Sequence, residues 1–258
     1  MTKPAGSLSA KAMIAIHPLI GIGEVRPGDD LAGMLGAALD GAGLLPLGAG
    51  DVLVVTQKIV SKAEDRFVDL AAVAPSPEAL RLAETTRKDP RLVELVLAEA
   101  EAVVRAAPNV LITRHRLGLV MANSGIDRSN LGPGGEERAL LLPRDPDASA
   151  ARIAEALGCA VLISDSFGRP WRYGVVGVAI GAHGLPALHD RRGEQDRDGR
   201  RLEVTQVALA DLIASAATLA GGEGAEGVPA VLVRGLALPQ VTVPAAALVR
   251  AAREDLFR

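Results

Sequence analysis

Short runs of branched apolar residues, separated by glycine-rich or polar turns, set the pattern of this chain. Runs of this length and composition are typical of buried strands. One further segment alternates instead, with Leu117, Leu119 and Met121 on the same face. The predicted strands are residues 12–16, 52–55, 110–113, 117–121, 161–163 and 230–233.

Helical patterning lies between these runs. Ser76 and Pro77 form a helix start, with a capping serine and a proline in the first turn, and the pattern continues with interruptions to about residue 107. Asp89 and Pro90 divide this region into two predicted helices. Further helices are predicted from Asp147 or Ser149 to Leu157 and over residues 204–220. Strands and helices interleave without a regular period, which predicts an α/β or α+β fold with a mixed sheet.

Composition and charge narrow the class of protein. The 258 residues are 49% hydrophobic and 23% charged, which is ordinary for a folded chain and allows one large domain or two lobes. The formal net charge of −3 disfavours a nucleic-acid partner, because such domains usually carry a strong positive excess. Residues 1–11 are small and polar and are predicted to be a flexible N-terminus, so residues 12–258 form the expected domain.

The sequence gives no sign of a membrane span or a secretory signal. Its first apolar run is broken at His17 and Pro18 and is followed by charged residues. No other apolar run is long enough to cross a bilayer. A cytoplasmic protein without a membrane partner is therefore expected.

The most suggestive chemistry lies in residues 163–172, ISDSFGRPWR. Here an apolar strand delivers Asp165 and the hydroxyl of Ser166 to its carboxyl end, the edge at which many α/β sheets bind ligands. A carboxylate beside a hydroxyl suits magnesium or manganese, and Arg169 and Arg172 can neutralise phosphate or carboxylate oxygens. A strand end capped by an Asx-type turn, with solvated arginines, explains the same residues equally well.

Three other segments carry polar chemistry with open alternatives. Residues 122–130 place Asp127 in a glycine-bearing loop, which suits a phosphate–metal unit or an ordinary polar turn. Lys58 and Lys62, two of only five lysines, can provide point charges for phosphate or can be solvated at a strand end. The glycine-rich residues 221–227 can cradle a phosphate or a base, but alone are more typical of a flexible loop.

Several common nucleotide-binding and catalytic motifs are absent from the sequence. There is no Walker-type phosphate loop, no Gly-x-Gly-x-x-Gly after a strand and no Gly-x-Ser-x-Gly elbow. The four histidines have no zinc-type spacing. A nucleotide, if one binds, must be held by a less common architecture.

Five short segments, in the right order and spacing, together resemble one family. They are residues 27–31 (PGDDL), 60–64 (VSKAE), 123–130 (NSGIDRSN), 165–172 (DSFGRPWR) and 205–211 (TQVALAD). On these motifs the chain resembles the coenzyme F420-0:L-glutamate ligases, also called F420-0 gamma-glutamyl ligases, over residues 14–249. The resemblance implies the stand-alone form, without a nitroreductase-like domain, and a two-lobed α/β fold distinct from the usual nucleotide-binding folds.

This resemblance implies a GTP-dependent reaction that adds L-glutamate, once or several times through γ-linkages, to a deazaflavin cofactor precursor. It also implies a divalent cation, magnesium or manganese, with potassium in some members, and an intertwined homodimer. The expected route is an acyl phosphate, because a carboxylate must gain a better leaving group before the glutamate amine can attack it. A related ligase with another acceptor or amino acid and a non-catalytic nucleotide-binding protein are the alternatives.

The resemblance also implies roles for individual positions. The metal positions are Asp127, Asp165, Ser166 and Gln206. Asp127, Asp165 and Lys62 are the expected catalytic residues. The nucleotide contacts are His17, Pro18, Leu19, Ile20, Gln57, Lys62 and Asn130, and residues 222–227 align with a nucleotide-contacting stretch.

Overall fold

The computed structural model describes residues 13–132, 135–239 and 241–255. Its strands are β1 (Ala15–Pro18), β2 (Val52–Thr56), β3 (Phe67–Asp69), β4 (Ala100–Ala107), β5 (Val110–His115), β6 (Val120–Ala122), β7 (Arg138–Leu140), β8 (Ala160–Arg169), β9 (Arg172–His183), β10 (Leu188–Asp190), β11 (Gln206–Ala208) and β12 (Ala230–Arg234). Its helices are α1 (Leu31–Gly41), α2 (Gln57–Ala63), α3 (Pro77–Thr86), α4 (Pro90–Glu99), α5 (Pro146–Leu157) and α6 (Leu209–Gly221). The predicted flexible N-terminus, residues 1–11, lies outside the described residues.

A five-stranded sheet in the order β1-β12-β2-β8-β9 forms the centre of the molecule. Only β2 and β8 are parallel within it, and the other neighbours pair antiparallel, so the predicted mixed sheet is confirmed. Thr56 lies opposite Ser164, which brings the carboxyl ends of β2 and β8 to one edge. Strand β12 begins at the same edge, where Ala230 lies opposite Val55. Three chain segments therefore meet at this edge.

Alternate residues of the central strands pack into two different cores. On β2, Leu53 and Val55 face a core that includes residues of α1 and α5, whereas Val52 and Val54 face a core that includes residues of α6. The sheet is thus covered on both faces, which explains why its strands read as continuous apolar runs. None of the helices in the described part of the chain combines the length and the apolar character that a membrane span requires.

A smaller lobe is built from α3, α4 and the antiparallel sheet β4-β5-β6. Its separate core contains apolar residues such as Val93, Val96 and Leu111. The two predicted helix starts are confirmed here. Ser76 Oγ accepts a hydrogen bond from the Ala79 backbone at 3.2 Å, and Asp89 caps the second helix.

The helical pattern predicted to reach residue 107 ends earlier, at Glu99. The Ala100–Ala107 segment is β4, paired antiparallel with β5, and its first residue already has extended dihedral angles. Alanine-rich sequence of this kind tolerates either structure, and Val103 and Val104 favour a strand. Pairing with β5 therefore overrides the local helical pattern.

Two other predicted helix starts are shifted. Helix α5 begins before Asp147, because the side chain of Asp145 caps it by accepting a hydrogen bond from the Ala148 backbone at 3.0 Å. The predicted helix over residues 204–220 loses its first turn to β11, which pairs with β10. Helix α6 accordingly starts at Leu209.

Strands β8 and β9 form a long hairpin that the sequence pattern did not predict. β8 continues past Asp165 because residues 166–168 pair with residues 175–177 of β9. Arg169 and Arg172, expected in a turn, lie opposite each other as the last pair of the hairpin. Asp165, predicted to end the strand, therefore lies in the middle of β8. Only the pairing with β2 ends near it, at Ser164.

Gly177 in β9 is a close-packing position against α6. A Cβ added there would lie 2.5 Å from Thr218 Oγ1 and 2.6 Å from the Ala214 carbonyl oxygen. We therefore expect Gly177→Ala to lower the free energy of unfolding by about 1–3 kcal/mol, as overpacking does, when urea denaturation is measured. Gly168→Ala in the same hairpin is the control, because nothing lies within 4 Å of a Cβ there. An equal loss in both variants would contradict the packing explanation.

A charged cluster joins the smaller lobe to the rest of the molecule. Glu99, at the end of α4, is contacted by His115 Nε2 at 3.3 Å, Arg116 Nε at 3.2 Å and Arg66 Nη2 at 3.4 Å. The buried Arg66 also donates to the Leu142 carbonyl oxygen at 2.9 Å. The hydrogen bond with His115 and the charges of both arginines lower the pKa of Glu99 to about 2, although burial opposes this shift.

Glu99→Gln is expected to destabilise the protein at neutral pH but not in acid. Because the folded-state pKa lies below the ordinary value of 4.5, the carboxylate stabilises the fold above that pH and loses this effect as the pH falls towards 2. At neutral pH the loss is expected to reach up to about 3 kcal/mol, at about 1.4 kcal/mol per pKa unit. Urea unfolding at neutral and acidic pH measures it, with the exposed Glu101→Gln as control. A loss that does not change with pH would rule out the electrostatic cause.

Candidate functional site

A cavity of about 610 Å³ opens at the edge of the central sheet where β2 pairs with β8 for the last time and β12 begins. This volume lies within the usual range for small-molecule sites. Its wall brings together the four polar segments that the sequence distinguished. Among the residues with predicted site roles, those that line it are Gln57, Lys62, Asp127, Asn130, Asp165 and Ser166.

A turn in left-handed backbone conformation carries Asp127 into the cavity. Ser124 in this turn has a φ of 51°, which is uncommon for a residue other than glycine. Its backbone N–H donates to Thr113 Oγ1 at 3.1 Å, and its buried hydroxyl donates to the Val96 carbonyl oxygen at 3.0 Å. The backbone of Asp127 then pairs with Leu140 in both directions at 2.9 Å. The smaller lobe therefore fixes the position of this aspartate.

Helix α2 contacts both carboxylate oxygens of Asp127. Gln57 Nε2 donates to Oδ2 at 2.6 Å, and Lys58 Nζ lies 3.4 Å from Oδ1. Lys58 also donates to the Ser129 carbonyl oxygen at 3.2 Å. Burial raises the pKa of Asp127, and the nearby lysine and amide offset this shift only in part. The negative charge of this carboxylate is thus incompletely balanced.

Asp165 lies on β8 one residue beyond the last pair with β2, Ser164 opposite Thr56. Burial, together with the negative charge of Asp127, raises the pKa of Asp165 to about 7. Asp127 and Asp165 both line the same cavity. A pair of carboxylates that is short of positive charge is suited to binding a hard cation.

Glu223, which the sequence analysis did not distinguish, also belongs to this site. The Ser166 hydroxyl donates to the Glu223 carboxylate, with both oxygens at 2.7 Å. The charge of Glu223 contributes to the raised pKa of Asp165. Its only sequence signal was an acidic residue inside a glycine-rich stretch, which is common in flexible loops. The structure folds this loop over the middle of β8, at Ser166.

The aspartate pair does not amount to a complete metal cage by itself. Within residues 13–132, 135–239 and 241–255, no group of three or more His, Cys, Asp or Glu side chains is arranged to hold a metal ion. Cations such as Mg²⁺ commonly take only one or two protein carboxylates and complete their coordination with water and substrate phosphates. The arrangement around Asp127 and Asp165 matches that incomplete type of site.

Lys62 lies in the cavity wall one helical turn after Lys58. Its side chain is only 6% exposed, and Nζ lies 2.5 Å from Glu24 Oε1. The Glu24 side chain is itself 52% exposed. Lys58 and Lys62 therefore bring positive charge to the cavity that holds the two aspartates.

The predicted nucleotide contacts at residues 17–20 lie beside the cavity and are not part of its wall. The Leu19 backbone donates to the Ala230 carbonyl oxygen at 2.9 Å, and its side chain is fully buried. Ile20 is 76% exposed. The wall is formed by the next residues along the chain, 22–25.

Asn130 and Gln206 have different positions relative to the cavity. Asn130, with a φ of 57°, lies in its wall. Gln206 is exposed on β11, opposite Asp190, and is outside that wall. Arg169 is also outside it, at the hairpin end, where Nη2 donates to the Tyr173 carbonyl oxygen at 2.8 Å. One chain therefore gathers the predicted aspartates, serine, lysine, asparagine and Gln57 in one wall, but not Gln206.

The fold and the cavity together define the class of protein. A mixed-sheet α/β protein with acidic and basic side chains around one pocket suits an anionic ligand bound with a cation. The sequence model of the family described as F420-0:Gamma-glutamyl ligase matches residues 20–235. This chain therefore belongs to the F420-0:gamma-glutamyl ligase family, which confirms the resemblance found in its motifs.

Several relatives share the name coenzyme F420:L-glutamate ligase. The protein of that name from Methanopyrus kandleri is 48% identical over 245 residues, which cover 91% of this chain and 94% of the relative. The one from Methanothermobacter thermautotrophicus is 47% identical, covering 86% of this chain and 89% of its own. The one from Methanocaldococcus jannaschii is 42% identical, covering 83% and 86%. These alignments span most of both chains in each case.

Proposed function

We propose that this protein is a GTP-dependent ligase that joins L-glutamate to the deazaflavin coenzyme F420-0 in coenzyme F420 biosynthesis. Family membership and the shared name of its relatives support the ligase activity and the acceptor. The observation that carries the proposal is the single cavity that holds two interacting aspartates beside two lysines. Such a site fits a triphosphate bound together with a cation.

A magnesium or manganese ion fits the residues present at one end of this cavity. Burial raises the pKa of Asp127 and of Asp165, and the charge of Asp127 adds to the shift at Asp165; a bound cation would relieve this cost. The hydroxyl of Ser166, which follows Asp165 in β8 and is held by Glu223 at 2.7 Å, offers a further oxygen ligand. When bound, the ion would neutralise negative charge on the phosphate oxygens. Gln206, outside the cavity wall in this chain, is not needed for this arrangement.

The residues of the chain itself bind and orient the nucleotide. Lys58 and Lys62 provide fixed positive charge for phosphate oxygens, in place of the lysine of a Walker-type loop. Residues 221–227 line the same cavity and can offer backbone N–H groups to a phosphate or a base. Asn130 offers an amide for hydrogen bonding in the same wall. These groups hold the triphosphate in line with the acceptor carboxylate.

The chemistry consists of two substitutions. An oxygen of the acceptor carboxylate attacks the γ-phosphorus of GTP, which releases GDP and forms an acyl phosphate. The glutamate amine then attacks the acyl carbon, phosphate leaves, and the nitrogen loses a proton as the amide forms. Positioning and charge neutralisation supply most of the rate enhancement in such transfers.

A mass-resolved turnover assay tests the proposal directly. Purified protein is incubated with the deazaflavin acceptor, manganese, GTP or ATP, and a panel of amino acids, with and without potassium. Glutamate addition coupled to GTP consumption is the expected result. Transfer of another amino acid, or nucleotide binding without any product, would overturn it and favour another ligase or a binding protein.

We also propose that the protein forms a homodimer. Large exposed apolar side chains occur on the β8–β9 hairpin, at Tyr173 and Val175, and on α6, at Leu212 and Leu219. Residues of β9 and α6 pack into the same core, so these side chains lie on neighbouring elements, and a contiguous exposed apolar patch marks an interaction surface. Light scattering on the purified protein is expected to give twice the mass of the chain, and a monomer would contradict the proposal.

A further inference from the structure

Two buried polar residues of α2 stand behind Asp127. Gln57 is the first residue of this helix and Ser61 lies one turn later on the same face. Gln57 is 2% exposed and Ser61 is fully buried. Because both side chains are shielded from water, neither can easily replace a lost hydrogen bond with a water molecule. The hydrogen bonds from Ser61 to Gln57 and from Gln57 to Asp127 therefore fix the orientation of these side chains.

The direction of the hydrogen bonds through these residues is determined by the carboxylate. An ionised Asp127 can only accept, so the Gln57 atom 2.6 Å from Oδ2 must be the amide nitrogen. The amide oxygen then points the other way and accepts from the Ser61 hydroxyl at 3.0 Å. A serine in a helix often donates to the backbone carbonyl four residues earlier, whereas here it donates to the side chain of that residue.

The consequence is a distinction between the two oxygens of Asp127. Oδ2 is committed to the Gln57 amide, whereas Oδ1 faces Lys58, whose Nζ lies 3.4 Å away and whose side chain is 23% exposed. Lys58 lies on the partly exposed side of this carboxylate, whereas the Gln57 amide on the other side is almost fully buried. Oδ1 is therefore the oxygen that the protein presents to the cavity.

We propose that Ser61 is a positioning residue for the metal site: through the Gln57 amide it fixes the Asp127 carboxylate so that Oδ1 is presented to a divalent cation. The proposal rests on the proposed role of Asp127 as a metal ligand. Residues that orient a ligand by hydrogen bonding commonly contribute roughly 10–100-fold to metal affinity. Ser61 itself touches neither cation nor nucleotide.

Binding of Mn²⁺ alone to the full-length protein, followed by the electron paramagnetic resonance signal of free Mn²⁺, tests this proposal. Ser61→Ala is expected to weaken the affinity roughly 10–100-fold, and Gln57→Met, which has similar size but no amide, by at least as much. Ser149→Ala is the matched control, because Ser149 is an equally buried serine that contacts Glu64 at the other end of α2. It is expected to keep the wild-type affinity.

A second measurement separates positioning from a purely structural role. In Ser61→Ala the Mn²⁺ concentration for half-maximal turnover is expected to rise by the same factor as the dissociation constant, while kcat at saturating Mn²⁺ changes little. Unchanged Mn²⁺ affinity in Ser61→Ala and Gln57→Met, with affinity lost in Asp127→Asn, would overturn the positioning role alone. Unchanged affinity in Asp127→Asn would instead overturn the assignment of Asp127 as a metal ligand.

Discussion

Asp165→Asn is expected to reduce ligase turnover by at least roughly 10²-fold, a loss of the size seen when one electrostatic group is removed from an active site. The amide keeps the shape of the side chain but removes the charge that a cation requires. Asp165 lies inside β8 and its backbone pairs with Val178 of β9. The substitution is therefore expected to leave the fold intact. Turnover is measured with the mass-resolved assay at saturating GTP and manganese.

The same variant is expected to be more stable than the wild type when no metal is bound. The folded-state pKa of Asp165 is about 7, above its ordinary value of 3.8, so the ionised carboxylate opposes folding as the pH rises through this interval. Asparagine carries no such penalty. In EDTA above neutral pH, the free energy of unfolding is expected to rise by about 1–3 kcal/mol, since one pKa unit corresponds to about 1.4 kcal/mol. The gain is smaller than the full shift implies, because burying the polar amide of asparagine also costs free energy.

Asp211→Asn provides the matched control for this experiment. Burial raises the pKa of Asp211 too, but its carboxylate accepts from the Ala179 backbone at 2.9 Å and lies outside the cavity wall. This variant is expected to retain ligase turnover. If Asp165→Asn lost stability as well as activity, the aspartate would be a structural residue and the functional assignment would be wrong.

Lys62→Met is expected to lower kcat/KM for GTP by roughly 10²-fold or more, because it removes a buried positive charge from the cavity wall. Methionine fills a similar volume, so the packing of α2 is retained. The remaining partner, Glu24, is half exposed and can be hydrated, which limits the loss of stability. Initial rates at varied GTP, together with thermal melting, measure both effects.

The control for this variant is Glu24→Gln, which breaks the same ion pair but leaves the lysine in place. It is expected to have a much smaller effect on kcat/KM than Lys62→Met. Lys62→Arg is not expected to restore activity, because the larger planar guanidinium does not fit a site built around a compact ammonium. Equal losses in Glu24→Gln and Lys62→Met would mean that the ion pair itself, and not the charge of Lys62, is what matters.

Much of the main sheet was predictable because its strands are locally distinctive. The apolar runs at residues 52–55, 161–163 and 230–233 became β2, β8 and β12, since a strand covered on both faces must be apolar at every position. The strand β9 and the change from helix to strand at residue 100 were not predicted. Both depend on a partner strand, and partner strands leave no local signal in the sequence.

The sequence by itself determined the family and the mixed α/β class and singled out Asp127 and Asp165 as candidate site residues, because these depend on short motifs and local periodicity. Only the tertiary structure brought the two aspartates into one cavity and added Glu223 to them. It also showed that the Gln57 amide holds one oxygen of Asp127, across 70 positions of the chain. Such contacts arise from the pairing of distant strands and helices, so their geometry is fixed only when the whole chain has folded.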